Sequence, residues 1–88
     1  MAERGNVLRI WGDDDGCPRA ILDLLLRAAE RRRIPVVRVA NRPIPPHASG
    51  LISAVRVGSD FDAADRYIAG RVAAGDLVVT ADVPLAAE

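Results

Sequence analysis

Four short apolar runs alternate with segments of helical character, and this alternation limits the chain to few architectures. "VLRIWG" (7–12), "IPVVRVA" (34–40), "LISAVRVG" (51–58) and "DLVVTA" (76–81) are rich in β-branched residues and poor in charge. Each is the length of one strand, and runs of this kind belong to strands buried on both faces. "PRAILDLLLRAAERRR" (18–33) lies between the first two. Ile21, Leu25 and Ala28 recur there at helical spacing, with Leu22, Leu26 and Ala29 beside them. Pro18 suits the first helical position and makes Cys17 the expected N-cap, while Arg31, Arg32 and Arg33 complement the dipole at the other end. "SDFDAADRYIAGRVAAG" (59–75) predicts a second helix. Ser59 with Asp62 reads as its capping box, Gly75 as its stop, and Phe61, Ala64, Ile68 and Val72 as its buried face. "NRPIPPHASG" (41–50) holds three prolines and is a loop. "DVPLAAE" (82–88) reads as the start of a further helix. The order predicts one α/β domain over residues 1–88, with a mostly parallel sheet of about four strands covered on both faces.

With 88 residues, half of them apolar, the chain is neither disordered nor multidomain. Its formal net charge is zero, so composition carries no nucleic-acid or membrane footprint. All twelve basic residues are arginine. The single Cys17 forms no internal disulfide, which fits a reducing cytoplasm. "MAERGN" lacks the apolar core of a signal peptide, and no run reaches the roughly 18 apolar residues of a membrane span.

In open α/β sheets, ligands bind beyond the carboxyl ends of the strands. Asp13, Asp14 and Asp15 follow the first run and Asn41 the second. Asp60, Asp62 and Asp65 follow the third, and Thr80 and Asp82 close the fourth. Seven of the nine aspartates thus collect at one edge, and only Asp23 and Asp76 stand apart. Asp65 lies beside the apolar stripe of the second helix, with Asp62 three residues before it on the same side. The arginines are expected mostly on other faces. Two carboxylates about 4 Å apart repel by roughly 4 kcal/mol at an effective dielectric of 20, so several converging there call for a cation. Oxygen-only ligands favour Mg²⁺ or Mn²⁺ over zinc. Simple capping and turn roles account for single members of the set, and Asp14 and Asp60 read as solvated. Cys17 at a helix N-terminus is expected to have a lowered pKa, but as a small capping residue rather than a nucleophile. His47 reads as a surface loop residue, and the "RRR" run as a solvated helix end.

"DDDG" after an apolar strand resembles the first motif of haloacid-dehalogenase-type phosphatases. Those enzymes balance the phosphoryl charge with a lysine, and this chain has none. A resemblance spanning nearly the whole chain rests on "IWGDDDGCP", "VVRVAN", "FDAADRYI" and "GDLVVTADVPLAAE". Together these resemble the YaiI/YqxD family of bacterial proteins. The resemblance implies a three-layer α/β/α PIN-like domain, in which clustered acids hold a divalent metal for phosphodiester cleavage. It implies Asp13, Asp15, Asp62, Asp65 and Asp82 as metal-site residues, with Asp13, Asp65 and Asp82 closest to the chemistry and Asn41 and Thr80 supporting them. The expected activity is a Mg²⁺- or Mn²⁺-dependent ribonuclease acting on single-stranded RNA or another single-stranded nucleic acid. The alternative is a PIN-like module that binds RNA or protein without cleaving it. Gly12 departs from the β-branched residue usual there, which is expected to weaken the end of the first strand. Family members continue beyond "PLAAE" with a further strand and helix. The chain is therefore expected to be a C-terminally shortened member, with part of the fold missing and self-association through the incomplete sheet edge.

Overall fold

The computed structural model of the chain describes residues 8–60 and 62–80. Each apolar run forms a strand shorter than itself: β1 (Ile10–Asp13), β2 (Val36–Ala40), β3 (Ile52–Arg56) and β4 (Leu77–Val79). Two helices intervene, α1 (Arg19–Arg32) and α2 (Ala63–Ala69). The strands form one sheet in the order β3-β2-β1-β4, and every neighbouring pair is parallel. The expected α/β fold with a mostly parallel four-stranded sheet is therefore present. The helical start expected at 82–88 lies outside the described residues.

Side-chain alternation along β1 divides the interior in two. Ile10 faces α1 and joins Ala29, Val36 and Ile52, with Leu25 and Leu26 packed against them. Trp11 faces α2 and joins Val39 and Ile68, with Ala64 and Tyr67 alongside. The α1 stripe is rotated from the expected one, because Leu22 and Ala29 are buried whereas Ile21 is exposed. The N-cap is Pro18 itself, with φ −59° and ψ 145°, not Cys17. That extended ψ keeps the proline outside the first turn.

The end of α1 is a Schellman closure. Arg33 N–H donates to Glu30 O (3.2 Å) and Ile34 N–H to Ala29 O (2.9 Å). Arg33 takes the left-handed conformation this requires, φ 60°. The proline loop then makes the β2-to-β3 crossover without a helix. It is braced by Ser49 N–H on His47 Nδ1 (3.0 Å) and Leu51 N–H on Ser49 Oγ (3.1 Å).

The second helix is shorter than the expected 59–75 at both ends. Its N-cap is Asp62, not Ser59, so the Ser59–Asp62 capping box does not form; the Asp62 side chain makes no capping bond and pairs with Arg66. Gly70 caps the other end. Val72 thus lies beyond the helix and is exposed, while Ala63 and Ile68 are its buried residues. Phe61 lies outside the described residues. Gly75 does not stop a helix but turns the chain into β4. Its φ is +95°, and a Cβ there would meet Leu8 Cδ1 at 3.1 Å. Asp76 closes the same turn, accepting Ala73 N–H at 3.0 Å and Trp11 Nε1–H at 2.9 Å.

Candidate functional site

The chain leaves β1 toward β2 and β3 on one side, then returns past it to β4 on the other. Such a reversal opens a crevice at the carboxyl ends of the strands, and Asp13, the last residue of β1, stands there. Its side chain is buried on the α2 side of the sheet. Oδ1 accepts Gly16 N–H at 3.2 Å, and Oδ2 accepts the Thr80 hydroxyl, just past β4, at 3.4 Å. A Cβ at Gly16 would lie 3.0 Å from Asp13 Oδ2, a contact tight enough to crowd the carboxylate. Burial pushes the Asp13 carboxyl above its ordinary value. The Gly16 N–H opposes the shift, the charge of Asp65 adds to it, the Thr80 hydroxyl opposes it, and Asp15 adds a smaller push.

Asp65, in the first turn of α2, is the other half of the arrangement. A cleft of about 310 Å³ is lined by Asp13, Asp15, Asn41, Asp60 and Asp65. A second cavity of about 310 Å³, more apolar, runs along Ile68, Val72 and Val78 toward Thr80. Asp13 and Asp65 border both, so the two clefts meet at this pair. Among the described residues, no arginine or histidine lies within ion-pairing distance of either carboxylate.

The other acids are engaged by arginine, contrary to the expectation that the arginines face elsewhere. Asp14, read as solvated, is buried, and its side chain is fully covered. Arg38 grips both its oxygens, Nε to Oδ1 at 2.9 Å and Nη2 to Oδ2 at 3.1 Å, and Arg42 Nη2 adds a third contact at 2.8 Å. The pleat explains this. Gly12 and Asp14 share the α1 face of the chain, and Arg38 stands opposite Gly12 in register. Gly12, buried within β1, places no side chain between them. The expected weakening at Gly12 does not stop β1 from pairing through Asp13.

Asp15 accepts Asn41 N–H at 2.6 Å and lies 3.5 Å from Arg42 Nε. Asn41 therefore meets the site through its backbone and lines the cleft. Asp62 pairs with Arg66 and does not line the cleft. Asp60 is exposed as expected, yet it lines the cleft and lies 3.4 Å from Arg66 Nη2. Asp82 lies outside the described residues. Cys17 is shifted opposite to expectation, because burial and the charges of Asp14 and Asp13 raise its thiol pKa. His47 Nδ1 lies 3.5 Å from Glu30.

The structure thus brings Asp13, Asp15, Asn41 and Asp65 to one cleft, with Thr80 bordering the adjoining apolar one. Among the described residues, no group of three or more acid, histidine or cysteine side chains gathers as a metal cluster. Arg38 was missed in the sequence, and Arg42 was placed after Asn41 at the strand ends without its role as an acid partner. Their signal was positional, since one lies in and the other just past the strand beside "DDD". Among the described residues, no helix is long and apolar enough to cross a membrane.

The family model "Uncharacterized BCR, YaiI/YqxD family" matches residues 11–88. A UPF0178 protein of Saccharophagus degradans is 51% identical over 81 residues, covering 92% of this chain and 54% of that protein. A UPF0178 protein of Geobacter metallireducens is 52% identical over 80 residues (91% and 52%), and one of Klebsiella pneumoniae 53% over 81 residues (92% and 53%). The chain spans about half the length of these relatives. No solved structure matches it. A family model matching residues 11–88, and relatives more than half identical over about nine-tenths of the chain, make the conclusion direct: the chain belongs to the YaiI/YqxD family.

Proposed function

We propose that the chain is the acid-bearing part of a divalent-metal-dependent nuclease, with a PIN-like fold, acting on RNA or other single-stranded nucleic acid in the cytoplasm. One observation carries the reading. Asp13 and Asp65 share a crevice at the sheet's reversal point, and neither has an arginine or histidine partner among the described residues, although arginines engage Asp14, Asp15, Asp60 and Asp62. Two oxygen donors without a cation fit Mg²⁺ or Mn²⁺, which bind through one or two carboxylates and keep several waters. Asp13 and Asp65 would hold the ion, with Asp15 and Asp82 as further donors and Asp62 farther out. Such an ion, when bound, polarises a phosphodiester and lowers the pKa of water. The Thr80 hydroxyl and Gly16 N–H each engage one oxygen of the Asp13 carboxylate and hold it at the end of β1. Asp65, exposed on α2, can accept a proton from an attacking water. The zero net charge favours short single strands over long duplexes, whose binding depends on neutralising many phosphates.

A second reading, binding without cleavage, is favoured by the lack of a three-carboxylate cluster among the described residues. Cleavage of single-stranded RNA by the purified chain in Mg²⁺ or Mn²⁺ separates the two. Asp65→Asn keeps the shape and removes the charge. It is expected to lower cleavage at least about a hundredfold, with stability changed by no more than about 1 kcal/mol. A chain that cleaves nothing with either ion, or an Asp65→Asn variant as active as the unsubstituted chain, overturns the nuclease reading.

A further inference from the structure

An acidic crevice repels the phosphates it would have to admit, so an anionic strand needs fixed positive charge beside it. Two arginines each contact an acid that lines the cleft. Arg42 follows Asn41 on the β2–β3 side and lies 3.5 Å from Asp15, which lines the cleft. Arg66 sits on α2 and lies 3.4 Å from Asp60, which also lines it. Both side chains remain about half exposed, 49% and 58%. Arg42 also contacts the buried Asp14 at 2.8 Å, but Arg38 binds both oxygens of that carboxylate and keeps it paired when Arg42 leaves, and Asp60 and Asp62 are themselves partly solvated. Half-exposed arginines whose partners survive without them are free to exchange a carboxylate for a phosphate, which their forked guanidinium matches equally well.

We propose that Arg42 and Arg66 are phosphate-binding residues that grip the strand on either side of the Asp13–Asp65 pair. The inference rests on the nucleic-acid reading above and narrows it. The ligand is a strand with phosphates flanking the central one, and a mononucleotide engages at most one of the two arginines. In the free chain Asp14 and Asp15 hold the Arg42 guanidinium, and Asp60 and Asp62 hold that of Arg66.

Binding of a fluorescein-labelled ten-nucleotide oligouridylate, followed by anisotropy across a salt series with Ca²⁺ in place of Mn²⁺, tests this. Each lost contact to a single strand should reduce the steepness of log K against log salt by about 0.7. Arg42→Gln and Arg66→Gln are each expected to do so, and the double variant to lose about twice as much. Arg42→Lys and Arg66→Lys keep the charge and should restore the slope. Arg31→Gln, on the exposed end of α1, measures the effect of removing any positive charge and should leave the slope unchanged. Thermal unfolding of each variant confirms that it is folded. Slopes unchanged in both Gln variants, or lowered equally by Arg31→Gln, overturn the proposal while leaving the nucleic-acid reading intact. No binding by the unsubstituted chain overturns both.

Discussion

Asp14 and Asp13 are neighbours with opposite surroundings, and the pleat of β1 is the cause. Successive side chains leave a strand on opposite faces. Asp14 therefore turns into the layer where Arg38 meets it, while Asp13 turns toward α2 and finds another acid. In the sequence the three aspartates look equivalent. Which of them is paired depends on the register between β1 and β2, which no local pattern reveals. The positions of Asp13 and Asp65 were legible, because strand ends and helical spacing fix them. The neutralisation of Asp14 was not, because it arises from a contact 24 residues apart in the chain. A buried carboxylate held by two guanidinium groups leaves uncompensated positive charge when it is removed. Asp14→Asn is expected to destabilise the chain by about 3 kcal/mol or more, read as a lower urea midpoint at unchanged slope. A midpoint within error of the unsubstituted chain would show that the cluster contributes no stability.

Helix and strand cores could be read from apolar periodicity, whereas their ends could not. The α1 segment was bounded to within one residue, because Pro18 and the arginine run frame it. The α2 segment was overestimated because Ser59, Asp62 and Gly75 imitate capping signals. Arg66 instead occupies Asp62, and Gly75 serves the turn into β4. At the end of α1, Arg33 occupies a left-handed position that glycine adopts without strain. Arg33→Gly is expected to stabilise the chain by about 0.5–1 kcal/mol, since relief of the left-handed backbone outweighs glycine's added freedom when unfolded. A loss of stability in urea unfolding would show that the Arg33 side chain does more than close the helix.

The turn before β4 carries a pH signature. The hydrogen bonds from Trp11 Nε1–H, first, and Ala73 N–H hold the Asp76 carboxyl below its ordinary value. A carboxyl depressed by folding favours the folded chain wherever it is ionised. The Asp76 contribution is therefore fully present above its ordinary value near 3.8 and is lost as pH falls through the lower folded value. Asp76→Asn is expected to lose stability at neutral pH and to flatten this part of the acid limb, followed by the fluorescence of the single tryptophan, Trp11. An acid limb identical to that of the unsubstituted chain would remove Asp76 from the account.

At the scale of the molecule, strand order creates the site. In β3-β2-β1-β4 the reversal falls at β1, so Asp13 at its carboxyl end borders both the acidic cleft on the β2–β3 side and the apolar one on the β4 side. The Thr80–Asp13 hydrogen bond joins the ends of β1 and β4 across 67 positions of sequence. The alternation of runs made the parallel sheet legible, but the order of its strands was not, because the loop after β2 carries no helix to mark a crossover. The order matters for function, since it places α2 over β1 and so sets Asp65 beside Asp13. The central claim is that this pair holds a divalent ion. It is tested most directly by titrating Mn²⁺ into the chain and following the free-ion signal by electron paramagnetic resonance. The account predicts saturable binding that weakens about tenfold or more, equivalent to about 1.4 kcal/mol, in both Asp13→Asn and Asp65→Asn, with little change in Asp23→Asn on the exposed face of α1. Equal Mn²⁺ affinity in all four proteins, or no binding by the unsubstituted chain, would contradict it.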